Sequence, residues 1–476
     1  MLNQAYKKFG FWFGIILFFA VSLSSSPQSI SDQAWLIAAV ALLMASWWGT
    51  EAIPLPVTSL LPLALFPLLG IMDFRAAAAA YASPSIFLFL GGFILAVAIQ
   101  ASGLHKRLAL YVIASINNSA SAIVGAFMCI SFFISMWVMN TSTTLMLLPI
   151  CLALSSNIQE SVPGLSPKNT KNFEISLLLG IAFASSMGGM SSLVGTAPNI
   201  VFAGFMQENY GIEIAFMDWM RVALPIGLIM LLSGFLVLTK ALFPANFDIN
   251  IEAKRRINKS LYALGSISRD EKKVLYIFLL TATLWISRTY LVEFNIFTGL
   301  TDAGIAIIAA ICLFIIPSSS KKTDLLTWEE TKNLPWGLLI LFGGGLSLAK
   351  AINSSGLGQW MGESFILAIT FEPWIIVMLI VTFIIFLTEV TSNTATTSTF
   401  LPIAASIAIA TSLAPENIAI PMVLAASLAF MLPVATPPNA IVYGSGKLSI
   451  RDMIKAGFIL NIIGIALITG FFALIY

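Results

Sequence analysis

The chain has little charge, few cysteines and a single histidine among its 476 residues. Asp, Glu, Lys and Arg together make up 10% of the sequence, whereas soluble globular proteins carry roughly 25%. Hydrophobic residues make up 58%, and the mean hydropathy is +0.95. A soluble protein is therefore excluded, and the composition predicts an all-α polytopic membrane protein.

The scarcity of cysteine and histidine excludes several classes of site. Cys129, Cys151 and Cys312 all lie in apolar segments, which indicates small core residues rather than disulfides or metal ligands. His105 follows an apolar segment and precedes two basic residues, so we interpret it as interfacial rather than catalytic. No basic run is interleaved with aromatic residues as on a nucleic-acid surface. We therefore expect neither an enzyme nor a partner made of nucleic acid.

Apolar stretches of roughly 17–25 residues, long enough to cross a bilayer, predict eleven transmembrane helices. They lie near residues 9–25, 33–50, 54–71, 84–104, 175–209, 221–243, 274–292, 303–317, 335–354, 417–445 and 453–475. Two further stretches, 121–156 and 373–413, are too long for one helix and carry a polar cluster at the middle. Each is either a pair of full helices or a re-entrant hairpin. We favour hairpins, because such a polar run belongs at a protein-lined cavity.

The distribution of lysine and arginine predicts the sidedness of the chain. With the N-terminus inside, most basic residues fall in cytoplasmic loops, as the positive-inside rule requires. The C-terminus is then outside, in the inner (cytoplasmic) membrane of the cell. Lys7-Lys8 followed by an apolar run also resembles a secretory signal peptide. We favour an uncleaved first helix, because the small-residue cleavage pattern is poor.

Two polar motifs occur twice along the chain. NTSTT at 140–144 recurs 253 positions later as NTATT at 393–397, and TAPN at 196–199 recurs as TPPN at 436–439. The crossing that precedes each hairpin runs in the opposite direction in the two halves. The sequence therefore predicts an inverted-topology repeat, with two hairpins that enter the membrane from opposite sides.

Prolines interrupt two crossings at the repeated Thr-x-Pro-Asn motif. Proline removes a backbone donor, so each helix unwinds there and frees carbonyl groups and helix ends that can bind ions. A proline kink satisfied by neighbouring helices is the alternative. The repetition of the motif after a polar hairpin in both halves favours a functional role.

The polar side chains near these motifs are hydroxyls and carboxamides, which suit sodium ions and carboxylate groups. No Lys, Arg or His occurs within 108–167, 172–220 or 373–446. An anion bound there would therefore need cations and helix dipoles as its positive partners. The sequence favours an anion carried together with sodium.

Two acidic residues and two groups of glycines lie in or beside the apolar segments and need an interpretation. Glu389 lies three residues before Ser392, where its carboxylate either affects cation or proton binding or bonds to nearby hydroxyl groups. Glu51, beside two tryptophans, is interpreted as interfacial. The glycines at 91–92 and 343–345 are interpreted as close-packing positions between helices rather than as ligand contacts.

At Thr391-Ser392-Asn393-Thr394, with the first-half counterpart and the two Thr-x-Pro-Asn breaks, the chain resembles the divalent anion/sodium symporters, a family that includes sodium-coupled di- and tricarboxylate transporters. The resemblance covers essentially the whole chain. It implies sodium-coupled symport of C4-dicarboxylates (succinate, malate, fumarate) into the cell, with sodium as the coupling ion, by an elevator movement in a homodimer. A sodium-independent dicarboxylate or citrate exchanger and a sodium/sulfate symporter remain alternatives. An ion channel is disfavoured by the inverted repeats and the lack of a charged ring.

The resemblance also implies roles for individual residues. The residues expected to bind substrate are Asn140, Thr141, Thr196, Ser392, Asn393, Thr394, Thr436 and Pro437. Those expected to bind sodium are Ser135, Asn140 and Gly195 at the first site and Thr388, Thr391, Asn393 and Ala435 at the second. The chain departs from the family at Met139, where the first motif normally has serine, which weakens the expectation for the first sodium site.

The resemblance finally implies a division into scaffold and transport domains. Scaffold helices are expected within 1–110 and 274–360, transport-domain hairpins and helices within 111–243 and 361–476, and a cytoplasmic linker at 244–273.

Overall fold

The structure, a computed structural model, describes residues 2–27, 29–114, 119–161, 166–245, 247, 264–320, 322–364 and 371–474. Nearly all of these residues lie in helices or in the short turns between them. The predicted linker 244–273 falls largely outside the described residues.

The N-terminal half contains twelve described α-helices, of which the last continues as a π-helical turn, Val237–Leu242. They are α1 (Leu2–Ser22), α2 (Asp32–Thr50), α3 (Leu55–Thr58), α4 (Leu61–Leu68), α5 (Phe74–Ala79), α6 (Pro84–Ala101), α7 (Leu104–Ala114), α8 (Ala120–Ser135), α9 (Asn140–Ser161), α10 (Pro167–Ser191), α11 (Ala197–Tyr210) and α12 (Phe216–Leu236).

The C-terminal half contains nine described α-helices. They are α13 (Arg269–Glu293), α14 (Asp302–Ile315), α15 (Trp336–Ser354), α16 (Leu357–Ser364), α17 (Pro373–Thr388), α18 (Asn393–Ala410), α19 (Pro415–Ala426), α20 (Pro437–Gly444) and α21 (Ile450–Ala473).

Seven helical segments within the described residues are long and apolar enough to cross a membrane. Four apolar helices of 10–17 residues accompany them, among them α8 and α17. The chain is thus a helical, multi-pass membrane protein. The exact number of crossings stays a prediction.

Short polar residues and prolines determine where many of these helices begin. The hydroxyls of Ser119, Ser166 and Thr301 accept hydrogen bonds from backbone N–H groups in the first turns of α8, α10 and α14. Ser268 and Ser449 form complete capping boxes at α13 and α21. These hydrogen bonds fix the positions of the helix ends that the loops connect.

The two halves repeat in backbone conformation as well as in sequence. Gly103 and Gly356, which end corresponding helices, both have φ of 78°, a conformation that favours glycine. Thr196 and Thr436, at the two proline breaks, have φ and ψ of −145° and 151° and of −142° and 151°. The repeat seen in the sequence is therefore a structural repeat.

Glycines allow close approach between several helices. A Cβ atom at Gly91 would lie 2.6 Å from the Ala306 backbone, and one at Gly344 would lie 2.3 Å from the Ser59 carbonyl oxygen. At Gly92, by contrast, a Cβ would make an ordinary 3.6 Å contact with Val194. The close-packing interpretation is confirmed for Gly91 and Gly344 but does not apply to Gly92.

The burial of the cysteines and of the histidine differs in part from what the sequence predicts. Cys151 is buried, but Cys129 is exposed and Cys312 is partly exposed, so only Cys151 is a core residue. His105 is 8% exposed, with its Nδ1 atom 3.0 Å from the Ile99 carbonyl oxygen, so the end of α6 holds the ring.

Candidate functional site

The first polar cluster forms the tip between α8 and α9. The buried hydroxyl of Ser135 donates a hydrogen bond to Asn140 Oδ1 at 2.7 Å. Thr144 Oγ1 donates to the Asn140 carbonyl oxygen at 2.9 Å. The last residue of α8 and the second turn of α9 thus fix both the side chain and the backbone of Asn140.

The second cluster repeats this arrangement between α17 and α18. Thr388 Oγ1 lies 2.7 Å from Asn393 Oδ1, and Thr397 Oγ1 donates to the Asn393 carbonyl oxygen at 2.9 Å. Thr388 is also 3.1 Å from the carbonyl oxygen of Ala426 at the end of α19. A hydroxyl therefore orients an asparagine amide at each tip, and in the second half it also contacts the broken crossing.

The asparagine of each Thr-x-Pro-Asn motif satisfies the carbonyl groups that the break leaves free. Asn199 Nδ2 donates to the carbonyl oxygens of Gly189, Met190 and Ser192 at 3.2, 3.2 and 2.8 Å. Asn199 is fully buried, so its amide stabilises the turn between α10 and α11.

The second break has the same internal support. Asn439 Nδ2 donates to the carbonyl oxygens of Ala429 and Leu432, each at 3.1 Å. Thr436 Oγ1 accepts from the Asn439 N–H at 3.3 Å and caps α20. The sequence grouped Asn199 and Asn439 with the other polar side chains of a site, but the structure gives their amide nitrogens this backbone role.

The first hairpin tip and the first break are in very close contact. A Cβ atom at Gly189 would lie 2.2 Å from Asn140 Oδ1. One at Gly195 would lie 2.5 Å from the Gly189 carbonyl oxygen and 2.9 Å from that of Ser135. Neutral oxygens from both elements therefore converge where the first sodium site is expected, and only glycine leaves room for them.

Both hairpin tips and both breaks line one cavity of about 830 Å³. All eight residues expected to bind substrate are in its wall: Asn140, Thr141, Thr196, Ser392, Asn393, Thr394, Thr436 and Pro437. Of the residues expected to bind sodium, Asn140, Gly195, Thr391, Asn393 and Ala435 also line it. Ser135 and Thr388 lie behind the wall, bonded to Asn140 and Asn393.

Two charged residues of the cavity wall are not among the site residues predicted from the sequence. Lys7 of α1 and Glu51 after α2 both line the cavity, and Lys7 Nζ lies 3.4 Å from Glu51 Oε2. The expectation of a site without a basic residue was based only on the sequence around the motifs and is wrong for the wall as a whole. Both side chains are about half exposed, so they form a solvated ion pair rather than a desolvated positive site.

Glu51 is also not merely the interfacial residue that its tryptophan neighbours suggested. It ends α2 in a left-handed conformation, with φ of 47° and ψ of 42°. The only signal that the sequence gives for Lys7 is its positive charge. A positive charge predicts the side of the membrane on which a loop lies, not a position in a cavity wall. Tertiary packing of α1 against α2 brings the pair together.

Met139 lines both the main cavity and a second cavity of about 370 Å³. Its carbonyl oxygen accepts a hydrogen bond from the Thr143 N–H at 3.0 Å. The main chain of the tip thus carries this hydrogen bond, while the Met139 side chain presents a thioether to the cavity.

Comparisons with known proteins show which family the chain belongs to. A family model described as the sodium:sulfate symporter transmembrane region matches residues 7–475. The sodium-dependent dicarboxylate transporter SdcS of Staphylococcus saprophyticus is 40% identical over 463 residues, which cover 96% of this chain and 89% of that protein. SdcS of Staphylococcus aureus strain USA300 is 41% identical over 465 residues, with the same coverage.

A solved structure of Neisseria gonorrhoeae MtrF, described as illuminating a class of antimetabolite efflux pumps, has a TM-score of 0.59 and 13% identity. It covers 98% of this chain and 97% of its own. At this identity the likeness concerns the fold alone. The match of the family model along nearly the whole sequence is what confirms the resemblance: the chain belongs to the sodium:sulfate (divalent anion:sodium) symporter family.

Proposed function

We propose that the chain is a secondary active transporter that couples inward movement of sodium to uptake of C4-dicarboxylates such as succinate, malate and fumarate. The observation that supports this most is the single cavity formed by two hairpin tips and two broken helices. Relatives that are about 40% identical to this chain are named as sodium-dependent dicarboxylate transporters. As a member of a transporter family, the chain is not an enzyme.

Four helix N-termini supply positive potential for a dianion. The first residues of α9, α11, α18 and α20 are Asn140, Ala197, Asn393 and Pro437, and all four line the cavity. Each helix start is equivalent to roughly half a positive charge, and its free N–H groups are suited to anions. This potential, together with the bound cations, compensates the two carboxylates of a substrate.

Seven of the eight substrate residues, all except Pro437, have side chains that provide neutral hydrogen-bond donors around that potential. The hydroxyl groups of Thr141, Thr196, Ser392 and Thr394 can donate to carboxylate oxygens, as can the carboxamides of Asn140 and Asn393. Because hydrogen bonds to charged groups are stronger than neutral ones, such donors select an anion over a neutral solute of the same size.

Sodium ions bind, in this proposal, behind the two tips. The first site uses Ser135, Asn140 and Gly195, and the second uses Thr388, Thr391, Asn393 and Ala435. The convergence of the Gly189 and Ser135 carbonyl oxygens at Gly195 supports the first site. Sodium is a hard cation that prefers such oxygen ligands.

The lengths of α8 and α17 support re-entrant hairpins. Each has 16 residues, which extend over about 24 Å at 1.5 Å per residue. The hydrocarbon core is about 30 Å thick, so neither α8 nor α17, the first helix of each pair, spans it. We propose two hairpins in inverted repeats, with eleven crossings, the N-terminus inside and the C-terminus outside the inner membrane.

On this topology the cavity opens to the cytoplasm. Lys7, Glu51 and Leu338 in its wall all lie at helix ends that the positive-inside rule places inside. We propose that transport-domain helices (111–243 and 361–476) carry the site past scaffold helices (1–110 and 274–360) as an elevator, in a homodimer, and that the structure represents the inward-open state.

Purified protein in liposomes tests the function directly. We expect radiolabelled succinate uptake to require an inward sodium gradient, and to be absent when choline replaces sodium. Full succinate exchange in sodium-free buffer would instead establish the exchanger. Because the family description names sulfate, excess sulfate should be included as a competitor; strong inhibition by sulfate with weak inhibition by malate would favour the sodium/sulfate symporter.

A further inference from the structure

The carboxylate of Glu389 is the most heavily bonded polar group near the second hairpin tip. Glu389 follows α17 directly and is 3% exposed. Its oxygens accept hydrogen bonds from the backbone N–H groups of Phe430 at 2.8 Å, Met431 at 2.9 and 3.0 Å, and Leu432 at 3.1 Å. Its partners are not the nearby hydroxyls that the sequence suggested as one alternative.

A fifth hydrogen bond connects the carboxylate to the last helix. Asn461 Nδ2 of α21 donates to Glu389 Oε1 at 2.8 Å, and Asn461 is fully buried. One side chain thus joins the second hairpin, the second break and α21. These donors are neutral, so hydrogen bonds stabilise the carboxylate charge without cancelling it.

The first repeat has no carboxylate at the position that corresponds to Glu389. By the 253-residue offset, the residue corresponding to Glu389 is Met136. The backbone differs correspondingly, because α10 remains helical to Ser191, whereas α19 ends at Ala426 and residues 427–436 are not helical. The additional unwinding in the second repeat frees amide groups that require an acceptor, and Glu389 supplies it.

The same unwound segment leads to the second proposed cation site. Residues 430–432, held by Glu389, are followed within a few residues by Ala435, which lines the cavity. Thr388, which precedes Glu389, is bonded to Asn393 Oδ1. Glu389 therefore lies between the two elements that supply the proposed ligands, with its negative charge buried beside them.

We propose that Glu389 is the positioning residue of the second cation site. It holds the unwound segment so that the carbonyl at Ala435 faces the hairpin tip, and its charge favours a cation there over an empty site. A buried carboxylate without a cationic partner is costly, and a sodium ion bound beside it relieves that cost. This inference rests on the proposed function.

The test is sodium binding measured without transport. Wild-type protein, Glu389→Gln and Met136→Gln are purified in detergent, checked for monodispersity, and titrated with sodium chloride at constant ionic strength with choline, following the unfolding temperature. Met136 is buried to a similar degree, so Met136→Gln controls for a new buried amide at the equivalent place. Succinate binding at saturating sodium is measured as a second readout.

We expect Glu389→Gln to raise the sodium concentration for half-maximal stabilisation at least tenfold, and to change succinate affinity much less once sodium is saturating. Met136→Gln should leave the sodium midpoint at the wild-type value. A Glu389→Gln protein that unfolds at lower temperature but keeps the wild-type sodium midpoint overturns the proposal, since that is the result of a purely structural role. An equal shift in Met136→Gln overturns it as well.

Asn461→Leu provides a second variant if Glu389→Gln does not fold. It removes one hydrogen bond from the carboxylate but keeps its charge, so we expect a two- to threefold rise in the sodium midpoint. An unchanged midpoint overturns the proposal. If sodium does not stabilise even the wild-type protein, the proposed function is wrong as well. If sodium stabilises wild-type and Glu389→Gln proteins equally, only the role of Glu389 is wrong.

Discussion

At the scale of single residues, the two hairpin tips share one construction. A hydroxyl at the end of the first leg donates to the side-chain oxygen of the asparagine that starts the second leg, at 2.7 Å in both copies. The asparagine is thereby fixed before any ligand arrives. Such preorganisation reduces the entropy that binding must overcome.

Asn393→Ala should abolish sodium-dependent succinate uptake while the protein still folds and inserts. Each hydrogen bond to a charged group contributes about 1.5–3 kcal/mol, and the truncation also leaves the Thr388 hydroxyl without one acceptor. Uptake into liposomes and size-exclusion chromatography provide the measurements. Asn209→Ala, a change on α11 outside the cavity wall, should retain near wild-type uptake. Normal uptake by a stable Asn393→Ala protein would remove Asn393 from the site.

Met139→Ser should lower the sodium concentration for half-maximal uptake by a few-fold. The substitution introduces a hydroxyl oxygen at the cavity wall next to Asn140, where a sodium ion prefers oxygen to a thioether. Met146→Ser, two turns further along α9 and outside the main cavity, is the matched control and should leave sodium activation unchanged. A sodium activation curve that Met139→Ser does not alter counts against the placement of the first cation site.

At the scale of elements, each broken helix and its hairpin form one unit. The asparagine of each Thr-x-Pro-Asn motif holds the freed carbonyl groups, and in the first half glycines allow the tip to contact the break. The sequence predicted the breaks, because prolines and repeated motifs are local signals. It did not predict the partners of Asn199 or of Glu389, because those hydrogen bonds depend on which backbone groups tertiary packing leaves unpaired.

Gly189→Ala should abolish or strongly impair sodium-dependent uptake. The added methyl group would lie 2.2 Å from Asn140 Oδ1, so the amide must leave its position and the first cation site loses a ligand. Gly92→Ala introduces the same methyl group with an ordinary 3.6 Å contact and should transport normally. Uptake kinetics against sodium concentration measure both variants. Wild-type sodium activation in Gly189→Ala would show that the tip tolerates displacement of Asn140.

At the scale of the whole molecule, the doubled motifs sufficed to predict a shared cavity, but not its complete wall. Lys7 and Glu51 come from the first two helices, which carry no motif, and only the packing of α1 on α2 brings them to the cavity. A charged cluster between helices of the two proposed domains was likewise invisible in the sequence. Arg288 Nε lies 2.9 Å from Asp302 Oδ1, and Asp302 Oδ2 accepts from the Phe216 N–H at 2.8 Å.

This cluster connects α13 and α14, assigned to the scaffold, with the start of α12, assigned to the transport domain. Arg288 also pairs with Glu213, in the turn before α12, at 2.8 Å. Arg288 and Asp302 are both 8% exposed or less, and breaking such a buried pair is strongly destabilising. If α12 moves past α13 and α14 as in the proposed elevator, these contacts must break, so we expect them to stabilise the observed state over the opposite one.

Asp302→Asn should therefore shift the protein toward the outward-facing state. In a background without native cysteines, Val434→Cys places a thiol on an exposed residue of the cavity wall. Labelling of that thiol by a membrane-impermeant reagent in right-side-out vesicles should increase several-fold when Asp302→Asn is added, because the cavity then opens outward more often. Asp218→Asn, which alters a surface ion pair with Arg221 on α12, should have no effect, since exposed pairs contribute little. Equal labelling in both variants would mean that the cluster does not set the balance between the two states.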